Sequence, residues 1–301
     1  MFLRPIKNQT ILITGASGLL GGALYEALSS GSLDVTGLFG RRSTNGGSDR
    51  SDDGIDLADF DRLRAALDGA APSQVINCAA MPDIKPCEAD PRAARAVNSD
   101  APALLADWCR TRGARFVHFS TDQVFDGARS FYREDDRPSP VHVYGATKAA
   151  GEAAVLDANP DALVARLSLI YGTSPSGKRS ASEGLITALG RGRRLGLFTD
   201  EFRTPVLVDD LVRAVLFLAE SDFSGMIHLA GPERQSRFEF GRAVASRFGL
   251  PSELLVPASS GGLEAKPPRP LDLSLDTGLA SRLLPFRFKS VAEGLAQLPI
   301  V

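Results

Sequence analysis

Thr10-Ile11-Leu12-Ile13-Thr14-Gly15-Ala16-Ser17-Gly18-Leu19-Leu20-Gly21-Gly22 decides the fold. Residues 10–14 form a short apolar, β-branched run, the composition of a buried strand. Glycines follow at 15, 18 and 21, and Ala23 to Leu28 reads as helix. Strand, glycine turn and helix together make the context that a dinucleotide-binding turn requires. Gly15 permits a tight turn. Gly18 lets backbone approach a pyrophosphate at a helix N-terminus. Gly21 lets the helix pack on the sheet. The spacing is G-x-x-G-x-x-G rather than the G-x-G-x-x-G of many dehydrogenases, and a ligand-free glycine turn is the plainer alternative. The expected cofactor contacts here are Gly15, Ser17, Gly18, Leu19, Leu20 and Gly21.

The flanking sequence extends the pattern. Leu33 to Phe39 reads as a second strand, whose end meets the adenosine ribose in dinucleotide folds. No acid stands there; Arg41 and Arg42 do. Paired guanidiniums suit a 2′-phosphate, so NADP(H) is expected over NAD(H), against the alternative of two solvated arginines. Gly54 to Leu57 looks like a strand end. Asp56 could meet the adenine amino group or cap a helix over 58–67, and Leu57 lies beside it. Gln74 to Ala80 is another strand ending in small residues, Cys78, Ala79 and Ala80, past which a cofactor could run. Pro91 to Arg112 reads as one long helix carrying Asn98, which could bridge backbone elements or relay protons. Arg115 to Ser120 and Ala162 to Leu169 are further strands. This alternation predicts an α/β fold, a doubly wound parallel sheet with helices on both faces. The expected division is a Rossmann domain over 1–170, with returning elements near 204–230, and a smaller substrate-binding lobe mainly over 171–301.

The second informative stretch is Val143-Tyr144-Gly145-Ala146-Thr147-Lys148. On a helix, Tyr144 and Lys148 share one face. A nearby ammonium favours phenolate, so Lys148 is expected to pull the Tyr144 pKa down from its usual ~10. Such a Tyr can exchange a proton with an oxygen whose carbon gains or loses hydride. The bland alternative is a surface Tyr and Lys. Thr121 falls at a strand C-terminus, where open α/β sheets bind ligands, and could donate to the same substrate oxygen. Asp122 could instead cap the next turn. Asp209 and Asp210 are expected to cap a helix over 211–220.

The chain of 301 residues carries a formal net charge of −2, which gives no pull toward nucleic acid or anionic membrane. Three cysteines without a C-x-x-C pair fit a reducing compartment rather than a disulfide framework or zinc site. No apolar run reaches membrane-spanning length. A cytoplasmic protein without metal is the expectation.

With these residues in view, the chain resembles the extended short-chain dehydrogenase/reductase family over nearly its whole length. The resemblance rests on TGASGLLGG, NCAA, Val97-Asn98, FSTDQVFDG, YGATK, LIYG and RTPVLVDD. Within the family it is similar to dTDP-4-dehydrorhamnose reductases, and also to the regulatory β subunit of methionine adenosyltransferase. The resemblance implies a catalytic triad of Thr121, Tyr144 and Lys148. Tyr144 would donate the proton, Lys148 would hold the nicotinamide ribose, and Thr121 would position the carbonyl. Asp122, Gln123, Arg203 and Arg269 would join Thr121 and Tyr144 around the substrate, the two arginines on the diphosphate of a nucleotide sugar. The alternative for Arg203 is a salt bridge with Asp200 or Asp209. Rhamnose reductases usually show Tyr where Gln123 stands, and their dehydratase relatives show Glu; an amide cannot serve as that base. The implied activity is reduction of a carbonyl, the 4-keto group of a nucleotide-linked deoxysugar. A non-catalytic NADP-binding regulatory subunit, a reductase of a small ketone or imine, and a sugar epimerase stand as alternatives. A homodimer through helices near 92–112 and 146–158 is a family-level expectation.

Overall fold

The computed structural model describes residues 10–31, 33–39, 54–177, 179–260 and 267–299. Arg41 and Arg42, on which the choice between NADP(H) and NAD(H) rested, lie outside the described residues.

Six parallel strands form the central sheet. Five are β1 (Thr10–Thr14), β2 (Asp34–Leu38), β3 (Gln74–Asn77), β4 (Arg115–Thr121) and β5 (Leu163–Leu167). The sixth is Gly225–Leu229, and the order across the sheet is 225–229, β5, β4, β3, β1, β2. Alternation of side chains along each strand feeds two helical layers. Ile11, Ile13, Val117, Phe119 and Ala165 face α1 (Leu19–Ser29) and the Val208–Ala219 helix. Leu12, Val75, Phe116 and Val164 face α2 (Phe60–Ala70) and the Ala101–Arg112 helix. This is the doubly wound parallel sheet that the strand–helix alternation predicts.

A smaller core lies over the C-terminal edge of the sheet. Tyr171, Leu185, Leu207, Phe240, Val244, Val291 and Leu295 fill it. Two of its helices, Ala181–Gly190 and Arg237–Arg247, open with full capping boxes, from Ser180 and Glu183 and from Ser236 and Glu239. Among the described residues no helix is long and apolar enough to cross a membrane.

Several local expectations change. The long helix over 91–112 is three pieces: Pro91–Arg95, a π-turn over Ala96–Asp100, and Ala101–Arg112. The π-turn turns Asn98 inward, where its amide oxygen accepts from the Met81 N–H and its nitrogen donates to Met81 O and Thr147 Oγ1. Such π-turns mark places where a side chain is re-aimed. Residues 54–57 form no strand. Asp59, not Asp56, caps α2 by accepting from Arg62 N–H; Asp56 accepts from Ala58 N–H one turn earlier. Asp209 and Asp210 lie inside the first turn of their helix, whose N-cap is Leu207. Asp210 is fully buried and ion-paired with Lys289, so it anchors the C-terminal segment instead.

Candidate active site

The C-terminal ends of β1, β3, β4 and β5 define a crevice. Gly15 follows β1 at φ +66°, left-handed backbone where a Cβ would meet Ala79 N at 2.7 Å. Gly18 is the N-cap of α1, with no side chain satisfying the first-turn N–H groups. A Cβ on Gly21 would lie 2.3 Å from Gly15 O and 3.1 Å from Cys78 Cβ. Gly21 therefore allows α1 to close on the glycine turn itself and on the end of β3. Ser17 is exposed, Leu19 partly buried and Leu20 buried. Cys78, Ala79 and Ala80 line the opposite wall, with the Cys78 thiol pushed up by burial. Asp56 sits beside Leu57, whose side chain is part of the core under α2. An uncapped helix end, a backbone turn too tight for any Cβ, and a small-residue wall fit a dinucleotide pyrophosphate.

Tyr144 and Lys148 lie one turn apart on the Val143–Ala158 helix. His142 caps that helix through Nδ1, which accepts from Gly145 N–H at 3.0 Å. Its Nε2 must then carry the proton, and it donates to Gln123 Oε1 at 2.9 Å. The His142 ring stacks on Tyr144, centroids 6.1 Å apart. A Cβ on Gly145 would strike Gln123 O at 2.2 Å. Only glycine lets the helix start this close to the turn after β4.

Thr121 ends β4. Its hydroxyl accepts from Gln123 N–H at 3.2 Å and donates to Asp122 Oδ1 at 3.2 Å. The Tyr144 phenol faces the same residue, and Thr121 acts to lower its pKa. Tyr144 does not behave as the Tyr–Lys spacing suggests. Burial raises its pKa, and the opposing influence comes from Thr121 rather than from Lys148. The Lys148 amino nitrogen is turned inward instead. It donates to Phe119 O at 2.5 Å and meets His118 Nε2 at 3.2 Å. Burial brings its pKa down to about 8, against the pull of Glu152 and Cys78.

The β5 side of the crevice is charged. Asp122 is 4% exposed and accepts from Ser168 Oγ at 2.9 Å. Its partner is Arg203, Nε to Oδ2 3.6 Å, so the expected alternatives Asp200 and Asp209 are not the acceptors. Burial raises the Asp122 pKa, opposed by Arg203, Ser168, Thr121 and Arg237. Arg269 lies over the Phe198 ring and donates from Nε to Glu201 Oε1 at 2.6 Å, its side chain half exposed. Arg237, at the start of the Arg237–Arg247 helix, completes the group. Its pKa is lowered by burial and by Arg203, with Glu201 and Asp122 opposing. The structure thus brings Thr121, Asp122, Gln123, Tyr144 and Arg203 into one network, with Arg269 at its rim. Arg237 and His142 at this site, and His118 buried behind Lys148, have no readable signal in the sequence, while Asn77 opens the NCAA motif without being singled out there. Arg237 reads only as the start of an amphipathic helix, and no histidine sits in a motif.

A parallel sheet whose strand ends hold a glycine turn, a small-residue wall and a Tyr–Thr pair defines the Rossmann class of nicotinamide-dinucleotide proteins. The chain belongs to the RmlD substrate binding domain family, whose profile matches residues 9–298. It is 35% identical over 267 residues to the probable low-salt glycan biosynthesis reductase Agl14 of Haloferax volcanii, covering 88% of each chain. It is 32% identical over 294 residues to the methionine adenosyltransferase 2 subunit beta of Pongo abelii, covering 94% of this chain and 86% of that one. To the dTDP-4-dehydrorhamnose reductase of Mycolicibacterium smegmatis it is 33% identical over 268 residues, 88% and 77% of the two chains. A crystal structure of dTDP-4-dehydrorhamnose reductase from Bacillus anthracis in complex with NADP superposes with a TM-score of 0.86 at 24% identity, covering 97% of this chain and 98% of that one. The sequence resemblance to this reductase family is borne out.

Proposed function

We propose that the protein is an NADP(H)-dependent reductase that acts on the 4-keto group of a nucleotide-linked deoxysugar. The observation that carries this reading is the Tyr144 phenol held beside Thr121 at the C-terminal end of β4, one helical turn from Lys148. When bound, the reduced nicotinamide supplies a hydride to the carbonyl carbon. Tyr144 gives its proton to the carbonyl oxygen. Its raised pKa suits this direction, because the phenol stays protonated through the working range. Thr121 holds the oxygen against Tyr144. To donate to that oxygen it must turn its proton away from Asp122, which remains held by Ser168 and Arg203. Gly15, Gly18 and Gly21 admit the pyrophosphate, and Lys148 would hold the nicotinamide ribose by turning its nitrogen out from Phe119 O. Arg203, Arg237 and Arg269 supply guanidiniums for a sugar-nucleotide diphosphate. The cytoplasm is the expected compartment.

The test is NADPH consumption against a panel of nucleotide 4-keto sugars. Tyr144→Phe is expected to lower turnover roughly 10²–10⁴-fold, the usual worth of a positioned acid, while NADPH still binds. If wild type turns over no member of the panel, the sugar assignment fails.

A second reading is supported by the 32% identity to a methionine adenosyltransferase subunit across 94% of the chain. On that reading the protein binds the dinucleotide and regulates a partner enzyme. A stoichiometric enzyme partner recovered equally by wild type and Tyr144→Phe, with no keto-sugar turnover, would support it.

A further inference from the structure

Behind Lys148 lies a buried polar chain that no step above uses. Thr14, Asn77 and His118 are each fully buried, at the ends or middle of β1, β3 and β4. Thr14 Oγ1 accepts from Ala79 N–H at 3.2 Å and donates to Asn77 Oδ1 at 2.5 Å. Asn77 Nδ2 meets His118 Nδ1 at 2.9 Å, and His118 Nε2 meets Lys148 Nζ at 3.2 Å.

The direction of this chain is fixed at one end. A backbone N–H can only donate, so Thr14 accepts from Ala79, and Asn77 Oδ1 at 2.5 Å is the acceptor of its own proton. The Asn77 amide then points N–H at His118 Nδ1. A neutral imidazole with Nδ1 accepting carries its proton on Nε2. His118 is neutral here: burial and the neighbouring Lys148 push its pKa well below the usual histidine range. An Nε2–H facing Nζ suits an amine, which has a lone pair, and opposes an ammonium, which has none. The ammonium needs the reverse order: Nε2 accepting, Nδ1–H donating, and the Asn77 amide turned over. That order presents two donors to Thr14 Oγ1, from Ala79 and Asn77, and removes the acceptor of its own proton. The two states differ by one proton, released to solvent as Lys148 becomes an amine.

We propose that Thr14, Asn77 and His118 are positioning residues that set the charge of Lys148 through the direction of their hydrogen bonds. Its bearing on catalysis rests on the reading of Lys148 given above. The other titratable groups acting on Lys148 are Glu152 on its own helix and Cys78 at the end of β3. Both favour the ammonium, so neither explains why the amine is accessible. Burial lowers the Lys148 pKa to about 8, and the pinned chain gives the amine its hydrogen-bond donor. The pin is also part of the glycine turn, since Ala79 N is the atom that a side chain at Gly15 would strike.

The experiment is nitrogen-15 NMR of histidine- and lysine-labelled protein from pH 6.5 to 10, without cofactor or substrate. His118 is expected to remain neutral and to change from the Nδ1–H to the Nε2–H tautomer as Lys148 loses its proton, with one shared midpoint. Thr14→Val removes the pin and is expected to raise that midpoint by about one pH unit, the effect of one net hydrogen bond. Thr14→Ser, which keeps the hydroxyl, should titrate as wild type. A single His118 tautomer throughout while Lys148 titrates, or equal midpoints for Thr14→Val and Thr14→Ser, overturns the proposal. If Thr14→Val does not fold, the wild-type tautomer measurement decides alone. Neither measurement involves turnover. Loss of the reductase reading would show in the keto-sugar assay and leave this result standing.

Discussion

The two sides of the crevice are built on opposite electrostatic terms. On the β1–β3 side the buried polar groups are neutral or nearly so: Thr14, Asn77, His118, and a lysine close to its titration point. On the β5 side they stand as acid–guanidinium pairs: Asp122 with Arg203, Glu201 with Arg269, and Arg237 among them. A neutral chain stores information in the direction of its hydrogen bonds, which reverses with the gain or loss of one proton. A set of paired charges stores it in mutual compensation, so removing one member exposes another. The first arrangement suits a group that must change protonation. The second suits a surface that must hold anions of a substrate without rearranging.

That contrast can be broken most sharply at Arg203. Arg203→Ala leaves Asp122 buried against Ser168 and Thr121 without its nearest cation. The expected loss of stability is about 3 kcal/mol, the low end for an orphaned buried charge, because Arg237 remains. Urea unfolding of the variant measures it. The double variant Arg203→Ala/Asp122→Asn should recover much of the loss; no recovery would mean that Arg203 acts by packing alone.

Gly21→Ala probes the neutral side. Its Cβ would lie 2.3 Å from the Gly15 carbonyl, backbone that cannot swing aside. Overpacking of this kind costs about 1–3 kcal/mol, and the glycine turn should lose NADPH affinity in the same variant. Titration of NADPH fluorescence reads the second effect. Unchanged affinity would place the dinucleotide elsewhere.

The smallest effect concerns acid. His142 is held neutral, its pKa lowered by burial, because Nδ1 must accept from Gly145 N–H. A histidine whose folded pKa is depressed is protonated more readily in the unfolded chain. Its contribution is therefore complete above about 6.5 and is lost as pH falls from there through the folded value. His228 behaves alike, with its pKa down to about 4. Thermal stability should thus fall below pH 6.5. His142→Asn retains a capping side chain that does not titrate, and should flatten part of that slope at a cost of about 1 kcal/mol or less at neutral pH. An unchanged slope would assign the acid sensitivity to His228 and the remaining groups.

The parts of the site that were legible are those with local spacing. Gly15, Gly18 and Gly21 occupy one turn and one helix start, and Tyr144 and Lys148 one helical turn, so the residues carry their own geometry. The hidden parts come from strands and helices far apart in sequence. Asn77 and His118 meet because β3 and β4 pair in register, and Arg237 acts on Asp122 electrostatically across 115 positions of chain. His142 stayed unread as a cap because Ser, Thr, Asp and Asn dominate that position. The π-turn at Ala96–Asp100 was invisible because its apolar period matches a continuous helix.

By itself, the sequence determined the doubly wound sheet and the glycine turn, since both follow from short-range periodicity and from the steric freedom of glycine. It also brought Tyr144 and Lys148 onto one helix. Only the tertiary structure decided what those two side chains face. Burial raised the phenol against the opposing pull of Thr121, and burial beside His118 and Phe119 lowered the amine, because desolvation and hydrogen-bond partners are set by neighbours that spacing along the chain cannot name.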